Sequence, residues 1–334
     1  MFPKALVLQL DYHKTLPCPK VSAQDSHYSR KLRTNLLGIY CANEETIHCF
    51  LYDDSVGGAG PNEVISFLNN LLDQMETKYG KFDQLTIWCD NSPGQFKECF
   101  LFFYLDYLVK KGQFLRIDLK FLLEGHSYSI CDRRFGCIQK FFDTVERVEL
   151  PQEWASLLKN SPLKNIEVHW ATLNMIKDYK SWLRRQYISR SEDLDNEKFE
   201  VRRLAWLNFG YGEVADLEGK LELTHHPETV FIWFNIDSKE KPRMVSFYKK
   251  KQMTELNSDL LEPARHEQRP VNNQVQNDCL KIARKFLSER AQAFYASLAC
   301  EEDSVDDEGC QLLLQFFLPE MFVLFSNKYT ILFY

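Results

Sequence analysis

Two aspartates each close an apolar run: ALVLQL (5–10) ends on Asp11, and LTIWC (85–89) ends on Asp90. Carboxylates held side by side repel and raise each other's pKa unless a divalent cation lies between them. Mg²⁺ suits such a pair because it takes oxygen ligands and keeps several waters, and Mn²⁺ accepts the same donors. A pair of such ions about 4 Å apart activates a water and stabilises the leaving oxygen in phosphodiester cleavage. The alternative is that each aspartate simply ends its strand in a turn, a use that Asn91 and Pro93 fit. Glu63 falls in the first turn of a predicted helix, where it either reaches a metal at the same edge or stabilises the helix N-terminus. Asp132 has the same two readings, as an acid swinging toward that edge and as a helix N-cap. His126, in Gly-His-Ser, is a candidate ligand or proton carrier, or else a hydrogen-bonded turn histidine.

Other chemistries find less support. There is no GxxxxGK[ST] loop and no serine nucleophile elbow, and Gly57, Gly58 and Gly60 read as a flexible turn. Cysteine and histidine spacing does not give a zinc site, and His225-His226 with Pro227 reads as a loop. Lys180, Arg184, Arg185, Arg202, Arg203 and Lys249 to Lys251 are interleaved with aromatics and could face a strand of nucleic acid.

The elements that must position the acids follow from periodicity. ALVLQL (5–10), NLLGIYCA (35–42) and TIHCFLY (46–52) read as three strands. Pro61 then opens a helix with Val64, Phe67, Leu68, Leu71, Leu72 and Met75 at helical spacing, ended by Gly80. LTIWC (85–89) is a fourth strand, about 95–111 a second helix, FLRIDLKFLL (114–123) a fifth strand, and Asp132 begins a third helix. Short links allow antiparallel pairing of the first three strands, whereas helical crossovers require the fourth and fifth to run parallel. The simplest result is an α/β fold, a five-stranded mixed sheet of order 3-2-1-4-5 flanked by helices, with Asp11 and Asp90 at neighbouring carboxyl ends. After residues 1–150, residues 151–300 read as a mixed α+β accessory region packed on the first. Residues 301–334 read as an acidic spacer and an apolar tail.

The 334 residues are 45% hydrophobic, 14% aromatic and 26% charged, a globular balance. Lys+Arg number 41 against 47 Asp+Glu, and Glu301 to Glu308 alone supply six acids, so the rest is neutral. That excludes a binder driven by bulk positive charge while leaving room for a local basic patch. The ten cysteines include no CxxC and sit mostly in apolar runs, which fits reduced thiols in a nuclear or cytoplasmic protein. No signal peptide is expected at the N-terminus, and the apolar tail is broken by Pro319, Glu320, Asn327 and Lys328, so no membrane partner is expected.

The order of elements is that of the RNase H-like fold, and particular strings carry a further likeness. DYHKTLP from Asp11, YSRKLRTNLLGIY from Tyr28, EVISFL from Glu63, DNSPGQ from Asp90 and GHSYSICDRRFG from Gly125 resemble a transposon-derived RNase H-like family catalogued as a domain of unknown function. The resemblance covers about residues 5–300. It implies descent from an integrase or transposase-like nuclease, with Asp11, Glu63, Asp90 and Asp132 on the matching acidic positions. Gln139 stands where that family commonly has an acid. The expected function is metal-dependent nuclease or strand-transferase action on nucleic acid, DNA first, with Mg²⁺ or Mn²⁺ and with homo-oligomerisation in view. The alternative is a domesticated or decayed copy that binds nucleic acid or protein without chemistry.

Overall fold

The structure, a computed structural model, describes residues 4–23, 28–91, 95–122, 129–215, 221–236, 241–249 and 261–301. The first run becomes β1 (Ala5–Tyr12), followed by a three-residue β2 (Leu16–Cys18) that periodicity does not detect. β3 (Leu32–Cys41) and β4 (Thr46–Asp53) form a hairpin and are buried along nearly their whole length. Strands covered on both faces read as continuous apolar runs rather than alternating ones, which explains NLLGIYC and IHCFLY.

Helix α1 (Pro61–Tyr79) starts on a proline, where the missing N–H costs nothing, and ends at Gly80, whose φ of 74° suits glycine. It delivers the chain to β5 (Gln84–Cys89). Helix α2 (Cys99–Lys110) begins four residues later than its expected start at 95, because Glu98 caps it by accepting the Phe100 N–H. Residues 100–109 of α2 are buried on every side, and the one acid among them, Asp106, accepts a 2.5 Å hydrogen bond from Lys110 one turn on. β6 (Arg116–Phe121), α3 (Ile130–Asp143), α4 (Pro151–Lys159) and β7 (Ile166–Trp170) follow. Helix α5 (Tyr179–Gln186), strands β8 (Trp206–Ala215), β9 (Leu221–Trp233) and β10 (Arg243–Val245), and helices α6 (Asn273–Phe286) and α7 (Glu289–Ser297) complete the described chain.

The expected five-stranded sheet is corrected to ten strands, in the order β10-β9-β8-β6-β5-β1-β3-β4-β7 with β2 paired to β3. The region after Pro151 adds β7 to one edge, parallel to β4, and β8 to β10 to the other, beginning antiparallel to β6. Nonlocal pairing of this kind leaves no trace in local periodicity. The sheet is mixed: β1–β5 and β5–β6 are parallel, whereas β1–β3 and β3–β4 are antiparallel.

Helices cover both faces. α1, α2 and α5 pack on one through Phe50, Phe67, Phe102, Tyr104 and Leu183, and α3 and α4 pack on the other through Leu36, Cys49, Phe135, Phe142 and Trp154. α6 and α7 close a third cluster over Leu32 and Leu150. Gly210, with φ of 95°, sits at a bulge in β8 where a Cβ would come within 2.3 Å of the Leu115 carbonyl oxygen. The described cysteines are free thiols. No helix among the described residues is long and apolar enough to cross a membrane.

Gly38 lets α3 approach the sheet, since a Cβ there would lie 2.7 Å from the Phe135 ring. Gly38→Ala is therefore expected to cost about 1–3 kcal/mol by overpacking, read as a lower urea midpoint with unchanged slope. An unshifted midpoint would show that α3 is not held this closely.

Candidate metal centre

The parallel register sets Gln9 beside Trp88 and Leu10 beside Cys89, so Asp11 and Asp90 follow as the next residues on neighbouring strands. Side chains alternate along a strand, so Gln9 and Asp11 share a face, the one on which Gly38 meets Phe135 of α3. Gln9 is the polar residue inside the first apolar run, and it is only 9% exposed. Its Oε1 accepts the N–H groups of Ile130 at 3.0 Å and Cys131 at 3.4 Å, which the start of a helix otherwise leaves without partners. The Cys131 thiol donates back to the Gln9 carbonyl at 3.3 Å. One glutamine thus pins α3 above the end of β1.

Helix α3 is capped by Ser129, and Asp132, expected as the N-cap, stands instead three residues inside. Ser129 Oγ accepts the Asp132 N–H at 2.9 Å, and Asp132 Oδ2 accepts the Ser129 N–H at 3.1 Å, a reciprocal capping box. Asp11, Asp90, Asp132, Ser129, Gln9 and Leu122 line one cavity of about 280 Å³. Burial pushes the Asp11 carboxyl up to about 7, with the Asp132 and Asp90 charges adding to the rise and the Tyr12 N–H opposing it. That N–H donates to Asp11 Oδ1 at 2.7 Å.

The other predicted residues lie elsewhere. Glu63, 5% exposed, accepts the Gly58 N–H at 3.0 Å and lies 3.8 Å from Arg265 Nη1, in a separate cavity lined also by Lys180 and Arg269. It does not line the aspartate cavity. Burial holds the Tyr12 and Tyr52 phenols, whose hydroxyls lie 3.2 Å apart, above their ordinary range, and the Glu63 charge adds to the rise. Tyr12 is the neighbour of Asp11 on β1 and so points to the opposite face, which explains the separation. Gln139 donates to Asp143 Oδ1 at 2.6 Å and does not line the cavity either. His126 lies outside the described residues.

Two arrangements were missed by sequence reasoning. Trp88, Lys120, Trp206 and Trp233 are register partners across β5, β6, β8 and β9, one row back from the aspartates. The Lys120 ammonium lies 5.3 Å from the Trp88 ring and 4.5 Å from that of Trp206, which stacks on Trp233 at 4.1 Å. The second is His48, Glu167 and His169, the one group of three or more His, Cys, Asp or Glu among the described residues whose ligand atoms all lie within 4.8 Å, a spacing that could hold a metal ion. The three aspartates do not form such a group. Alternation within IHCFLY and IEVHW marks these residues as same-face neighbours, but nothing in sequence says that the two strands pair.

Fold and site together define an α/β protein with an acid-lined cavity at the carboxyl ends of two parallel strands. The chain belongs to the family described as Domain of unknown function (DUF7869), which matches residues 24–205, more than half its length. The match takes in Glu63, Asp90 and Asp132 and begins after Asp11. No curated protein matches the chain.

With the Asp11 carboxyl near 7 in the fold and 3.8 ordinarily, the folded state binds its proton more tightly than the unfolded chain between those values. Stability therefore falls as pH rises from about 4 to about 7, by at most about 4 kcal/mol. In chelator, Asp11→Asn is expected to stabilise the protein by about 1–3 kcal/mol at pH 8 and to change little at pH 4.5. Urea melts at the two pH values check this, and an equal effect at both would remove the electrostatic explanation.

Proposed function

We propose that the chain is an RNase H-fold protein of mobile-element origin that acts on nucleic acid, DNA first, with Asp11, Asp90 and Asp132 as ligands for Mg²⁺ or Mn²⁺. The observation that carries this reading is the forced company of three carboxylates in one partly desolvated cavity, at a cost that divalent charge would remove. An all-oxygen donor set fits a hard cation of this kind. Bound there, the metal would lower the pKa of a water and stabilise the leaving oxygen of a phosphodiester.

The residues divide the remaining work. Gln9 and Ser129 orient the N-terminus of α3, so its positive dipole end faces the carboxylates and Asp132 holds its place. Asp132 commits one oxygen to its capping bond and keeps the other for the cavity. The half-buried Trp88–Lys120–Trp206–Trp233 row offers ring edges and a cation next to the acids, suited to the bases and phosphates of a strand crossing the sheet. The central strand succession β4-β3-β1-β5-β6 supports the RNase H-like reading, within a sheet that extends beyond it on both sides.

A second reading, a copy that binds nucleic acid or protein without chemistry, is favoured by one specific observation. Glu63, which the family resemblance assigns to the metal set, is tied to Gly58 and Arg265 away from the aspartates.

Supercoiled plasmid incubated with the full chain in Mn²⁺ distinguishes the two. The first reading expects nicking that Asp90→Asn lowers at least about 100-fold, with an apo fold no less stable than the parent. Absence of nicking in the parent, with retained binding to DNA, selects the second. On either reading Trp206→Ala is expected to weaken binding of a single-stranded oligonucleotide by about 1–3 kcal/mol, the worth of one stacked base. Unchanged affinity, measured by fluorescence anisotropy, would separate the tryptophan row from nucleic-acid contact.

A further inference from the structure

The edge strand β7 runs parallel to β4 with Glu167 beside His48 and His169 beside Phe50, so these four side chains share one face of the sheet. It is the face on which Phe50 stacks against Phe67 of α1 at 4.9 Å, and so not the face of the aspartate cavity. Phe50 also stacks on the His169 ring at 4.6 Å. His48 is 1% exposed, and its Nδ1 is buried with no hydrogen-bond partner, 3.8 Å from Glu167 Oε2. His169 Nε2 is likewise buried and without a partner. Two orphaned imidazole nitrogens beside a carboxylate are an expensive arrangement for a core built only for packing.

We propose that His48 Nδ1, His169 Nε2 and a Glu167 carboxylate oxygen bind one divalent transition ion of the Zn²⁺ class, which fastens β7 to the sheet. A donor set of two nitrogens and one oxygen suits Zn²⁺ and disfavours Mg²⁺, which seeks oxygen. Metal–ligand bonds of about 2.0–2.2 Å in a tetrahedron place ligand atoms about 3.4 Å apart, so the 3.8 Å pair needs little closure. Glu167, whose side chain is 53% exposed, has freedom to close the remainder and leaves room for a water as fourth ligand. The outer partner is also present: His48 Nε2 faces Glu44 Oε2 at 3.3 Å, and a proton on Nε2 leaves the Nδ1 lone pair for metal. Glu44 is itself held by Lys78 and by the Tyr79 hydroxyl at 2.6 Å, so this carboxylate–histidine pair is oriented from outside as well.

The test uses the full chain, stripped with chelator and titrated with Zn²⁺ by calorimetry in excess Mg²⁺, and with Co²⁺ followed by visible absorption. One Zn²⁺ is expected per chain, with Co²⁺ giving the absorption of a nitrogen-ligated, low-coordinate ion. Glu167→Gln and His169→Gln, both outside the deepest core, are each expected to weaken Zn²⁺ binding at least about tenfold, and Glu44→Gln about 10–100-fold through the outer shell. Asp90→Asn should leave Zn²⁺ affinity unchanged, which separates this site from the aspartate cavity. No uptake by the folded chain, or uptake that both Glu167→Gln and His169→Gln leave intact, overturns the proposal. So does a proton resonance of His48 that titrates with Glu167 and ignores Zn²⁺, which would make the pair a proton site.

Discussion

β1 and β5 are parallel neighbours, with Leu10 beside Cys89, and the cavity depends on that pairing. A parallel neighbour requires a crossover, and the chain supplies one through β3, β4 and α1. The crossover brings two strands to the same edge pointing the same way, so the residues that follow them, Asp11 and Asp90, meet. An antiparallel pairing would have put the two acids at opposite ends of the sheet. The repulsion that results is electrostatic, but its origin is topological.

Helix α3 then adds a third acid where charge is already in excess. Placing Asp132 there would be hard to sustain without the Gln9 clamp, because a helix start buried over a sheet needs acceptors for its first N–H groups. Gln9 satisfies two of these, Ser129 a third, and the dipole of α3 offsets part of the negative charge beneath it. Support of this neutral kind differs from an arginine or lysine in the cavity, which would compensate the carboxylates permanently. The sequence has placed lysine and arginine around Glu63 instead, where Lys180, Arg265 and Arg269 surround a single acid. Among the described residues that line them, the aspartate cavity includes no basic side chain, whereas the Glu63 cavity includes three.

This contrast shows why the site was partly legible in the sequence. Asp11 and Asp90 could be paired from two apolar runs, their terminal acids and the handedness of crossovers, all of which are local or topological rules. Asp132 was legible as a helix-start acid, but its position inside the cap depended on whether Ser129 or Asp132 took the first place, and both are good caps. Glu63 could not be placed, because an acid in the first turn of α1 has a helix-start use wherever it points, and the direction is set by Gly58 just before the helix together with Arg265, far away in sequence. The region of β8 to β10 read only as a mixed α+β accessory region, since the pairing of β8 to β6 has no local signature.

The same limit bears on the two faces of the sheet. A strand such as β4 is apolar on both sides because helices cover both, so His48 inside it reads as an isolated polar exception. Its meaning appears only when β7 pairs in the register that sets Glu167 beside it. A one-residue slip of β7 would move Glu167 and His169 to the other face and leave His48 facing an apolar side chain. Register thus couples edge-strand placement to the chemistry of a buried histidine, just as crossover topology couples strand direction to the aspartates. In both cases the backbone assembles donors that the local sequence shows only singly. The donor sets differ in hardness: carboxylate oxygens near water on the α3 face, and imidazole nitrogens under aromatic cover on the α1 face. The two proposed donor sets share carboxylate oxygen and differ in imidazole nitrogen, which only the set on the α1 face supplies.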